Sequence, residues 1–292
     1  MRTRGGAFEL AEEGANQGRR PLGRLVLVVC AVAVAAGLWV GGRSVVDLAT
    51  PARCEATASG STVSFAPEQM ENASTITAIA VQRGLPARAA TIALATAMQE
   101  SKLYNVNYGD RDSLGLFQQR PSQGWGTAEQ VMDPVYATNK FYDALVQIDG
   151  YETMEITVVA QEVQRSAAPT AYAQHEPEAR VLASTLAGHS PAAFGCRLEA
   201  PTEAYGEGLV NAMAAQYGLT GVLTDGILTV DVQDETQAWS VAQWAVAKSQ
   251  AYGVRQVTLG DRNWTRDSSS QALTWGTAAS ATAATTVVVS FV

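Results

Sequence analysis

Apolar positions divide the chain into an unbroken apolar run, a long stretch of helical period, and a final stretch where helices alternate with strands. Residues 25–42 carry no charge. From Pro67 to Gln82, Met70, Ala73, Ile76 and Ile79-Ala80 share one helical face, and Gly84 closes the segment. Pro86 suits the first turn of a second helix, which carries Ile92, Ala95 and Met98 up to Glu100. Residues 103–126 lose this period and gather Tyr, Asn, Gly and Asp, which predicts a short hairpin or irregular sheet. Asp133-Pro134 starts another helix with Ala137, Phe141, Leu145 and Ile148 as its buried stripe. Helices follow near 153–165 (Ile156, Val159-Ala160, Val163) and 177–187. From Pro201 the texture changes: helices near 203–217 and 235–252, and strands at 226–232, 254–259 and 286–292.

At 292 residues the chain has room for about two domains. The run 25–42 would reach roughly 27 Å as a helix, close to the hydrocarbon thickness of a bilayer. Arg2, Arg4, Arg19, Arg20 and Arg24 precede it and only Arg43 and Arg53 follow closely, a bias that predicts a cytoplasmic N-terminus and an exported body. A cleaved signal peptide is the alternative, although the charged lead is long for one. Residues 44–67, including Ala58-Ser59-Gly60-Ser61-Thr62, read as a linker leading away from the membrane.

The cysteines fit an exported body. Cys30 lies in the apolar run, leaving Cys54 and Cys196 as a pair for one disulfide in an oxidising compartment; two unpaired buried thiols are the alternative. Up to Arg24 the chain carries five basic and three acidic residues; beyond it, fifteen and twenty-five. The acidic body argues against nucleic acid as a partner. His175 and His189 have no companions at metal-ligand spacing, so neither metal nor cofactor is expected.

The candidate chemistry centres on Glu100. A carboxyl at a helix C-terminus, facing the negative end of the dipole and set in an apolar cleft, is disfavoured as an anion, so it can hand a proton to a glycosidic oxygen. A solvated surface glutamate is the bland alternative. Glycosidases that use two carboxylates hold them about 5–9.5 Å apart. Asp110 and Asp112, in the loop after Glu100, are the candidates for a second. Ser113, Gln118, Gln119 and Arg120 can line a glycan groove, with Trp125 as a stacking face.

Gln99-Glu100-Ser101, then Gly115-Leu116-Phe117-Gln118 fifteen residues after the glutamate, resembles the signature of the lytic transglycosylase and goose-type lysozyme group. Phe117 stands where that family usually has Met. Asp133-Pro134 and Asn139 match its later Asp-Pro and Asn, so the resemblance covers roughly residues 68–190. It implies cleavage of peptidoglycan glycan strands, with Glu100 as acid then base and Asn139 beside the substrate. One departure stands out. The family's Ala-Tyr-Asn-Ala-Gly stretch has no match in residues 159–166, where Gln161 is left to offer a hydrogen bond.

The expected fold is α+β: an N-terminal single transmembrane helix, a mainly α lysozyme-like domain and a small C-terminal α+β module. The expected segments are a cytoplasmic tail 1–24, an anchor 25–42, a linker 43–67, the lysozyme-like domain 68–200 and a module 201–292. The expected function is that of a membrane-anchored wall enzyme, single-pass, with its main body extracellular and an envelope partner as a possible use of 201–292. The alternative is an inactive peptidoglycan-binding or envelope-assembly protein that keeps the fold as a glycan reader.

Overall fold

The computed structural model describes residues 51–164 and 171–291; the apolar run 25–42 lies outside them. The described chain opens with a sheet where a linker was expected. Strand β1 (Arg53–Ala58) pairs antiparallel with β2 (Ser61–Phe65) and with β3 (Phe194–Arg197), in the order β2-β1-β3. The Ser59-Gly60 turn has φ of 50° and 77°. Two left-handed residues in succession twist a two-residue hairpin in the same sense as its strands. Cys54 sits directly opposite Cys196 in the β1–β3 register, and the two are disulfide-bonded.

Helix α1 (Pro67–Gln82) follows, and its Gln69 Oε1 accepts the Ala66 N–H at 2.9 Å, closing the first turn. Helix α2 (Ala87–Ser101) is buried continuously from Ala89 to Met98. A helix hidden on every side must satisfy its own polar side chains. Thr91 and Thr96 do so by donating to the carbonyls one turn back, Ala87 at 3.0 Å and Ile92 at 2.8 Å. Around it lie α3 (Ala128–Val131), α4 (Pro134–Leu145), α5 (Ile156–Gln164) and α6 (Glu176–Leu186). Ala137, Phe141 and Leu145 of α4, and Ile156, Val159, Ala160 and Val163 of α5, form the buried stripes that the 3.6-residue period predicts.

The C-terminal part contains α7 (Gly206–Tyr217), β4 (Val222–Thr224), β5 (Ile227–Asp231), α8 (Glu235–Ala247), α9 (Ser249–Tyr252), β6 (Val254–Leu259), β7 (Arg262–Thr265), β8 (Gly276–Thr277) and β9 (Thr286–Phe291). Its six strands form one antiparallel sheet, ordered β4-β5-β9-β6-β7-β8. The helix expected over 235–252 is interrupted at Lys248 and continues as the short α9.

The expected fold class requires correction. The body is mixed helix and sheet, 45% helical and 18% strand, rather than a mainly α domain followed by a small module. No helix among the described residues is long and apolar enough to cross a membrane, and the run 25–42, on which the expected transmembrane helix falls, lies outside them. One hydrophobic core joins Ile76 and Leu94 to Trp244, Val257 and Val289. Buried polar contacts reinforce the junction: Ser240 Oγ donates to the Leu186 carbonyl at 2.7 Å, and Gln243 Oε1 accepts the Ala193 N–H at 2.9 Å. The two expected bodies are fused because α8 is buried on every side from Ala238 to Ala247, and α1 covers one side of it.

Lys248 lies in this junction. Its ammonium is buried and donates to Thr75 Oγ1 at 2.8 Å and to the Glu71 carbonyl at 3.2 Å, with Glu71 Oε1 3.5 Å away. Burial lowers its pKa to about 8, against the pull of Glu71. The sign of the linkage follows. Below pH 8 the lysine is charged in both states, and the folded protein bears the full desolvation cost. Between pH 8 and 10.5 the folded form has lost its proton while the unfolded form keeps it, so stability rises with pH across that window. The rise is on the order of 3 kcal/mol. Lys248→Met is expected to be at least as stable as wild type at pH 7 and to flatten the rise. Denaturant unfolding of both proteins from pH 7 to 10 checks this, and parallel curves would remove Lys248 as the cause.

Candidate active site

Glu100 occupies the last turn of α2, and the chain leaves that helix through two non-glycine residues with positive φ, Lys102 (55°) and Leu103 (63°). Such conformations cost on the order of 1–3 kcal/mol each and persist only where their surroundings enforce them. Here α1 supplies the enforcement. Gln69 Nε2 donates to the Lys102 carbonyl at 2.8 Å, and the buried Asn72 Nδ2 donates to the Leu103 carbonyl at 2.8 Å. The Leu103 side chain is itself fully buried. The end of α2, and Glu100 with it, is thereby fixed against the start of α1.

The second sequence element is clamped to the first. Ser101 Oγ donates to the Leu116 carbonyl at 2.7 Å, so the residue after the glutamate holds the Gly115–Gln118 turn beside it. Leu114 and Gln119 exchange backbone hydrogen bonds, both 3.0 Å, across the base of the turn. Gly115 has φ of 77°, and a Cβ there would lie 2.3 Å from the Val131 carbonyl oxygen, so glycine is required twice over. Phe117 is buried and stacks on Phe141 with ring centroids 4.7 Å apart. Its aromatic ring at this position therefore serves packing.

Tyr172, buried at 1% exposure, donates its hydroxyl to Glu100 Oε1 at 2.6 Å. Beside them His175 Nε2 lies 3.1 Å from Gln99 Oε1, and burial lowers the imidazole pKa against a smaller opposing effect of Glu178. A groove of about 580 Å³ opens onto Glu100, walled also by Glu68, Gln99, Tyr104, Tyr108 and Gln118. Tyr108 is 71% exposed, an aromatic face available for stacking at the groove's rim. A hydrogen bond to the carboxylate that forms as a glutamic acid gives up its proton is worth about 1.5–3 kcal/mol. Tyr172→Phe is accordingly expected to slow any reaction at Glu100 by about 10–100-fold, with the melting temperature little changed. Wall-digestion rates of the two proteins test it; equal rates would take Tyr172 out of the chemistry.

The other expected residues are dispersed. Gln118, held at φ 48°, lines the groove, and its Nε2 donates to the Tyr108 carbonyl at 3.2 Å. Gln119 is buried and donates to the Ala137 carbonyl at 3.1 Å, which makes it part of the scaffold under the turn. Ser113 is buried in the loop, its N–H donating to the Asp110 carbonyl at 3.0 Å. Both oxygens of Asp112 are occupied, one by Arg120 Nε at 2.8 Å and one by the Ser122 N–H at 2.8 Å. These bonds hold its carboxyl well below the usual range. Asp110 is almost fully exposed and faces Arg111 at 3.9 Å. Neither aspartate is among the walls of the Glu100 groove.

Asn139 donates to the Val135 carbonyl at 3.0 Å and accepts from Arg83 at 3.2 Å, tying α4 to the end of α1. Trp125 is half-buried against the core and walls a different cavity of about 900 Å³, together with Lys140, Asp143, Glu162 and Gln164. Gln161 is half-buried on α5. Glu100 and Gln118 thus share a groove that Ser113, Gln119, Trp125, Asn139 and Gln161 do not line.

Tyr172, Tyr104, Tyr108 and Glu68 lie outside the motifs of the sequence. The Ala171-Tyr172 pair is the nearest alanine-tyrosine step after residues 159–166, and it falls beyond α5 instead of within it. No protein-family model matches the chain, and no curated protein matches it either.

Proposed function

We propose that the protein cleaves the glycan strands of peptidoglycan, with Glu100 as general acid and then base. The observation that carries this reading is the pairing of Glu100 with the buried Tyr172 hydroxyl at 2.6 Å, in a groove rimmed by aromatic and amide side chains. Tyr172 holds Oε1, which leaves Oε2 to present a proton to the glycosidic oxygen as the C–O bond breaks. The carboxylate then recovers a proton from whichever oxygen attacks the anomeric carbon, a hydroxyl of the same sugar or a water. Tyr104 and Tyr108 offer faces to sugar rings, and Gln99 and Gln118 offer amides to their hydroxyls. The Cys54–Cys196 disulfide suits a body working outside the cytoplasm, where its substrate lies.

A glycan reader without turnover would need no buried tyrosine on its carboxyl, so Tyr172 favours the enzyme. Incubation with purified sacculi, followed by mass spectrometry of the soluble muropeptides, tests the reading. Release of muropeptides cut between sugars supports it; binding without release would give the site to the reader.

A further inference from the structure

We propose that Glu68 is the second carboxylate of this groove, activating the water that replaces the leaving sugar, so that the strand is hydrolysed and not closed into an anhydro ring. The inference rests on the glycan-cleavage reading and refines it: the attacking group is water, and Glu68, in place of Glu100, takes its proton. Among the described residues, Glu68 is the one other carboxylate that walls the cavity around Glu100. The two enter it from opposite helix ends, Glu68 from the first turn of α1 and Glu100 from the last turn of α2.

Those ends are fastened together beside the site. Gln69, next in chain to Glu68, bonds the carbonyl of Lys102, two residues beyond Glu100, and Asn72 one turn later bonds Leu103. Glu68 therefore cannot drift far from Glu100 without breaking the contacts that enforce the left-handed backbone at Lys102 and Leu103. A base must be ionised and reach water. Glu68 lies on the first turn of α1 and is exposed, so water reaches it. The aspartates that follow Glu100 in sequence are engaged elsewhere: Asp112 by Arg120 and the Ser122 N–H, Asp110 out in solvent.

In the step itself, water gives one proton to Glu68 while its oxygen bonds the anomeric carbon. The electrons of the breaking C–O bond pass to the leaving oxygen, which takes the proton of Glu100. Exchange with solvent returns both carboxyls to their starting states.

The test uses the full chain on purified sacculi, comparing wild type, Glu68→Gln, Glu68→Ala and Glu100→Gln by muropeptide mass spectrometry. Wild type should release muropeptides with ordinary reducing ends. Glu68→Gln should release them at least about 100-fold more slowly at an unchanged melting temperature. Azide, a small anion that needs no base, should restore cutting by Glu68→Ala and leave a glycosyl azide, which a merely structural role for Glu68 would not produce. Anhydro ends from wild type, or a Glu68→Gln rate near that of wild type, would overturn the assignment while leaving Glu100 as the acid. Absence of release by wild type would instead bring down the cleavage reading, and this inference with it.

Discussion

Glu100→Gln is expected to cut the rate of muropeptide release from purified sacculi by at least about 100-fold, the lower end of what general acid–base help contributes. The substitution is nearly isosteric. The amide oxygen can still accept the Tyr172 hydroxyl that now lies 2.6 Å from Oε1. The fixed helix end is untouched, because Gln69, Asn72 and Ser101 hold backbone carbonyls and not the glutamate side chain. What disappears is a transferable proton. Thermal unfolding and sedimentation with insoluble sacculi should therefore match wild type while release collapses. A variant that digests walls as fast as wild type would move the chemistry away from Glu100. Loss of binding together with release would show that the glutamate serves to grip the glycan.

The parts of this site legible in the sequence are the local ones. Glu100 and the Gly115–Gln118 turn could be found because a helix end and a glycine-opened turn carry their own signals, and Ser101 joins them over a short loop. Tyr172 comes from 72 residues downstream, and Glu68 from the start of the preceding helix. Which distant residue fills a groove depends on how helices pack, and periodicity does not encode that. The fold divides in the same way. Helices α1, α2, α4 and α5 are legible because an apolar stripe at 3.6-residue spacing is a local pattern.

Strands β1 and β2 were hidden. Thr and Ser fill their exposed positions, and Ser-Gly marks a hairpin turn as readily as a linker. Likewise the 201–292 region reads as a separate module because Pro201 opens a change of texture. Yet α8, rich in Ala and Trp, is buried from Ala238 to Ala247 with even Ser240 and Gln243 bonded inside, and α1 and α6 pack against it. A helix with so little polar surface announces burial without naming its neighbours.

The largest stability effect is expected at the disulfide. Cys54 and Cys196 are separated by 142 residues, and both are fully buried where β1 meets β3. Closing a loop of that size restricts the unfolded chain by about 4–5 kcal/mol on the loop-entropy account. That is a large share of the roughly 5–15 kcal/mol by which domains are stable. Replacing both cysteines with serine is therefore expected to lower the melting temperature by roughly 10–15 °C for a body of this size. The sheet itself should survive at low temperature. Arg53 and Arg197, Glu55 and Gly195, and Ala56 and Phe194 still pair across β1 and β3, and Arg197 still donates to the Pro51 carbonyl at 2.6 Å. Wall digestion measured well below the melting point should then persist, because no bond of the Glu100 groove runs through either sulfur. Calorimetry of wild type with and without reductant, beside the double serine variant, separates loop closure from side-chain effects. Reduced wild type and the serine variant should melt together, below the oxidised protein. If all three melt within a degree or two of one another, the bridge adds nothing, and the junction between β1 and β3 is held by packing alone.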